Sequence, residues 1–65
     1  MFYILHKPYG TEEPWTELPE GIRSSKEARA TLKDLVNRTK EDGTRELNAK
    51  MCVGRGRDRH DIVIL

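Results

Sequence analysis

The sequence has a single cysteine, Cys52, so it closes no internal disulfide, and no CxxC pair or His/Cys cluster offers a structural zinc site. Aromatic residues are scarce, with one Trp, two Tyr and one Phe in 65 residues. Long apolar runs are missing too. The two longest, MFYIL and IVIL, fall far short of the roughly 20 residues that span a bilayer. The apolar start lacks the basic flank and the length of a secretory signal. Disulfide scaffolds, zinc-stapled domains and membrane spans are thereby set aside, and a lone thiol fits a reducing cytoplasm. A chain this short buries only about 60% of the surface it exposes when unfolded. Without staples it holds itself with one core, or completes that core on a partner or a second copy. We read it as one small domain over residues 1–65.

What the chain has in quantity is charge, at 35% of residues, matched by 35% hydrophobic ones. The formal net charge of +1 hides two poles. Residues 11–20 hold Glu12, Glu13, Glu17 and Glu20 and no base, whereas residues 23–59 carry eleven Lys/Arg against six acids.

One segment is clearly periodic. From Ser24 to about Glu41 the apolar positions Ala28, Leu32, Leu35 and Val36, extended by Thr39, follow the spacing of one helical face. Ser24 and Glu27 form a capping-box pair at its start. Asp42-Gly43 supplies a stop, with Arg38 and Lys40 favouring the negative end of the dipole.

Either side of the helix the pattern is extended. Met1–His6 reads as a strand ended by Pro8 and Gly10. Residues 7–23, with three prolines and two glycines, read as loop, with a short extended piece around Trp15–Leu18 able to pair with the first strand. Leu47, Ala49, Met51 and Val53 alternate with Asn48, Lys50 and Cys52, the period of a half-buried strand. GRGRDRHD is a turn, and Ile62–Leu65, apolar on both parities, reads as a central strand.

The expected fold is therefore α+β: a three-stranded, mainly antiparallel sheet with one helix on one face, in element order β-α-β-β. Placing the last strand in the middle gives spatial order 1-3-2 with a right-handed crossover through the helix. Pairing Val53 with Ile62 and Met51 with Ile64 turns Leu47, Ala49, Met51, Val53, Ile62 and Ile64 toward the helix. Val63, Leu65, Cys52 and one parity of FYIL then lie on a face the helix cannot cover. Either the 8–22 segment covers it with Trp15 and Leu18, the favoured reading, or another chain does.

The candidate chemistry is that of binding. The acidic loop GTEEPWTELPEG sets Trp15 among Glu12, Glu13 and Glu17, a recognition loop for a basic partner surface if the indole is not simply a plug. Arg55, Arg57 and Arg59, loosened by Gly54 and Gly56 and joined by Lys50, form a basic hairpin tip able to contact phosphates; the bland alternative is a solvated turn. Gly54-Arg55-Gly56 is no phosphate loop, because Arg occupies position 59 and a strand follows. In the 1-3-2 sheet His6 would come near His60 or Asp61, but no ligand spacing recurs and we assign no metal, cofactor or catalytic residue. Cys52, among apolar neighbours, reads as packing, and the polar helix face, with an Asp34–Arg38 pair, as solvated.

No motif is specific enough to name a family. The fifteen residues GIRSSKEARATLKDL resemble the helix entry of small three-strand-plus-helix DNA-binding domains of phage integrases, although three strands do not fit between Met1 and Ile22. In style the short chain is similar to accessory proteins of phages and mobile elements. The expected function is a non-enzymatic, cytoplasmic binding or regulatory module, monomer or homodimer, that docks on another protein through Trp15, Glu12, Glu13 and Glu17. The alternative is a small nucleic-acid-binding protein using Arg55, Arg57, Arg59 and Lys50.

Overall fold

The computed structural model describes residues 1–54 and 56–64; Arg55 and Leu65 lie outside the described residues. The elements run β1 (Phe2–Pro8), β2 (Thr16–Glu17), α1 (Ser25–Val36), β3 (Leu47–Val53), a single 3-10 turn (Gly56–Asp58) and β4 (His60–Ile64). This is an α+β arrangement with one helix and a four-stranded antiparallel sheet in the order β2-β1-β3-β4.

Two expectations are corrected here. The sheet has four strands rather than three, and the last strand lies at an edge rather than in the middle. Both changes have one cause. Thr16 and Glu17 pair with His6 and Leu5, so β2 adds a chain reversal before the helix begins. The chain then passes Ile22, which exchanges backbone hydrogen bonds with Phe2 at 2.7 and 2.8 Å, and enters the helix at the start of β1 rather than at its end. The helix travels alongside β1, and β3 returns antiparallel to β1, with Phe2 opposite Val53 and Pro8 opposite Leu47. No parallel crossover is needed, and the slot beside β1 reserved for the last strand belongs to β3.

The helix starts where its local chemistry says. Ser24 is the N-cap, and its Oγ accepts the Glu27 amide at 3.4 Å. It ends earlier than Gly43, with Asn37 as C-cap. Residues 38–46 close on themselves instead: Thr39 bridges Arg45, the Lys40 amide donates to the Thr44 carbonyl at 2.8 Å, and the Glu46 amide donates to Arg38 at 3.1 Å. Gly43, at φ 84°, serves this small hairpin turn and not a helix stop. Backbone pairing across the turn outcompetes another helical turn because nothing apolar follows Val36 on the buried stripe.

The core lies between α1 and one sheet face. Ile4, Ala28, Leu32, Leu35, Ala49 and Met51 are buried there, with Phe2, Leu18, Ile22, Val36, Leu47 and Val63 packed around them. Leu18 belongs to this side and does not help cover the other face. The register at β4 also differs from expectation: Val53 faces His60 and Met51 faces Val63, with a bulge between Met51 and Cys52. Asp61 opposes Cys52 and Val63 opposes Met51, which leaves Ile62 unpaired as the extra residue. That slip turns Val63, not Ile62 and Ile64, toward the helix. Ile62 and Ile64 stay 44% and 66% exposed.

Candidate interaction surface

The face opposite the helix is built by strict alternation. β1 contributes Tyr3, Leu5 and Lys7, and their ladder partners on β3 are Cys52, Lys50 and Asn48. Glu17 of β2 sits opposite Leu5, which puts Trp15, two residues earlier, on the same face beside Lys7. Leu5 and Cys52 are buried, at 4% and 0% exposure, although no helix among the described residues lies over them.

Their cover is a layer of polar and aromatic side chains. The Lys50 Nζ stands 4.8 Å from the centre of the Trp15 ring and that of Lys7 stands 5.0 Å from it. Each such contact is worth about 0.5–1 kcal/mol when exposed and more when dry. Lys50 also pairs with Asp61 of β4 at 3.2 Å. Lys7 Nζ donates to the Thr11 carbonyl at 2.9 Å, tying the 9–13 loop to the sheet. Arg59, just past the 3-10 turn, donates to Glu17 and joins the two sides of the sheet over this face. The Trp15 side chain thus covers the sheet, as the favoured reading expected, and remains half-buried.

The four docking residues therefore separate. Trp15 and Glu17 lie on the face, Glu17 engaged with Arg59, whereas Glu12 and Glu13 are exposed in the loop beyond it. The basic set separates as well. Lys50 and Arg59 are committed to Asp61 and Glu17, Arg57 is exposed on the 3-10 turn, and Arg55 is outside the described residues. The Arg45 guanidinium lies 5.3 Å from the Tyr9 ring, at the far end of the sheet from Arg57.

The expected meeting of His6 with His60 or Asp61 does not occur. His6 pairs with Thr16 and Ala49, while His60 and Asp61 pair with Val53 and Cys52, three to four residues further down β3. At about 3.3 Å per residue this is some 10–13 Å along the sheet, with β3 in between. Among the described residues no group of three or more His, Cys, Asp and Glu side chains is placed to hold a metal ion. Burial pushes the Cys52 thiol up from its ordinary pKa, with the nearby Arg59 charge opposing this, so the thiolate is disfavoured.

Lys7, Arg59 and Asp61 are participants that sequence reasoning did not place on this surface. Alternation along FYILHK puts Lys7 in line with Tyr3 and Leu5, but only the β1–β2 register brings it to the indole. No helix is long and apolar enough to cross a membrane among the described residues. No protein-family model matches the chain, and no curated protein or solved structure matches it.

Proposed function

We propose that the chain is a non-enzymatic binding module that docks on another protein through the sheet face opposite the helix, with Trp15 as anchor and Glu12 and Glu13 at the rim. One observation carries this reading. Trp15 is held over the face by two ammonium groups and left partly accessible, not sunk in the core. An indole fixed in place gives up little side-chain entropy on binding, which suits an interface hot spot. The polar ring around it, Lys7, Lys50, Glu17, Arg59 and Asp61, is largely paired already and would act as a water-excluding rim. The partner implied is an apolar pocket for the indole, flanked by basic groups that face Glu12 and Glu13.

Nucleic-acid binding is the second reading, favoured by two rings near three cations: Trp15 with Lys7 and Lys50, and Tyr9 with Arg45. It ranks below because Lys50 and Arg59 are neutralised by acids and Arg57 lies at the other end of the sheet.

The test begins with labelled DNA and RNA at two salt concentrations, followed by calorimetry with a partner captured by the wild-type protein. Docking predicts no salt-steep nucleic-acid binding. It also predicts at least a tenfold weaker partner Kd for Trp15→Ala and for Glu12→Lys/Glu13→Lys, with Arg57→Ala unchanged. A folded Trp15→Ala that binds the partner as the wild type does would refute the docking reading. Micromolar nucleic-acid binding lost in Arg57→Ala would put the second reading in its place.

A further inference from the structure

We infer that β4 is a self-association strand, pairing antiparallel with β4 of a second copy about a two-fold axis at Val63. This goes beyond the docking reading and does not depend on it, since it uses the sheet's edge and not its face.

β4 lies at the outer edge of the sheet, so among the described residues one side of its backbone has no neighbouring strand. The opposite edge, β2, is only two residues long and too short to template another chain. Natural edges are usually protected by lysine, proline or an inward charge. β4 has none of these from Ile62 to Ile64, where its one edge-blunting feature is the bulge at Ile62, and Ile62 and Ile64 are among the most exposed large apolar side chains described. A five-residue edge strand with bare isoleucines calls for a partner.

The sequence of the strand points to a second copy. An antiparallel pair related by a two-fold axis places residue i opposite its mirror position, so a self-complementary strand must carry side chains at mirror positions that suit each other. Ile62-Val63-Ile64 does. With the axis at Val63, each Ile62 faces Ile64 of the other copy and the two Val63 side chains face each other. The pleat then groups four isoleucines on the side of Leu5 and Cys52, and two valines on the side where Val63 already meets the core. Asp61 and His60 fall outside this triplet, so no like charges are brought face to face. A net charge of +1 per copy adds little long-range repulsion. The contact is isologous, so it closes at two chains.

Sedimentation equilibrium from low micromolar to several hundred micromolar tests this. We expect a monomer–dimer equilibrium with no larger species. Ile64→Lys, at a site 66% exposed, should stay monomeric throughout with an unchanged circular-dichroism spectrum. Ile62→Lys is the second variant should the first fail to fold. A strictly monomeric wild type, a lysine variant that dimerises as tightly, or species growing beyond the dimer would each overturn the inference. The register has its own readout. Oxidising a mixture of Ile62→Cys and Ile64→Cys proteins should give a crosslinked heterodimer, whereas equal crosslinking of Ile62→Cys alone would overturn the axis at Val63.

Discussion

The Arg59–Glu17 pair offers a direct measurement of how the second sheet face is held together. β2 has only two paired residues, and Arg59 reaches it from beyond β3, so the pair ties the weakest strand to the turn before β4. Both side chains keep about a third of their surface in water, at 31% and 29%. Solvent therefore screens part of the attraction, which places the coupling near the top of the exposed range, at about 1 kcal/mol. The single variants should each lose more than that. Glu17→Gln keeps an oxygen that can accept but removes the charge facing the Arg59 guanidinium, whose buried Nε already has no hydrogen-bond partner among the described residues, at a cost of about 1–3 kcal/mol. A domain of this size has a total stability of about 3–10 kcal/mol, so the loss is large. Near the midpoint, 1 kcal/mol corresponds to roughly 4–8 °C. The assay is a double-mutant cycle with Glu17→Gln, Arg59→Met and the double variant in urea, followed by circular dichroism and by the fluorescence of Trp15, the sole tryptophan. Single effects that simply add, with coupling indistinguishable from zero, would show that the pair is an ornament of the surface.

Two further outcomes follow from the core and the turn. Leu32→Ala removes a side chain 1% exposed at the centre of the helix–sheet contact and should cost about 2–5 kcal/mol in the same urea experiment; less than about 1 kcal/mol would mean that α1 is not packed on the sheet as described. Asp42 accepts from the Thr44 hydroxyl at 2.6 Å and its amide at 3.0 Å, and these bonds, the hydroxyl first, hold its carboxyl below the ordinary 3.8. A carboxylate with a lowered folded pKa stabilises the turn above the ordinary value, and that contribution fades as pH falls from about 4 through the lowered one. The protection factor of the Thr44 amide, its exchange rate relative to the intrinsic rate at each pH, should therefore drop on acidification in the wild type but show no such step in Asp42→Ala, and matching profiles would refute this.

Elements with local signals were legible. The Ser24 cap and the Ala28–Leu32–Leu35 stripe located the helix, and the alternation from Leu47 to Val53 gave β3 its two ends. The antiparallel pairing of β3 with the last strand and a short extended piece near Trp15 were also foreseen. Strand order was not. Apolar residues on both parities of IVIL argued for a central strand, yet the same pattern arises when an edge strand uses Val63 for its own core and leaves two isoleucines outside. The bulge that chooses between these depends on pairing with Met51 and Cys52 and leaves no local trace. The helix end was misplaced because Asp42-Gly43 closes a hairpin turn as readily as a helix. As for the site, Trp15 on the uncovered face was legible. The lysines over it, and the use of Glu17 and Lys50 in ion pairs, came only with the register.

The reversal introduced by β2 also sets the order in which the domain can form. β1 is an inner strand whose long partner, β3, pairs residue 2 with residue 53 and residue 8 with residue 47. During synthesis β1 emerges well before that partner, with only β2 and the Ile22 bridge to occupy one of its sides. β1 thus waits in the nascent chain until residues 47–53 have been made. Folding of this kind is limited by closing a long loop, not by growing the helix, and should be slow for so small a protein. The same interval leaves FYIL open to pairing with other chains.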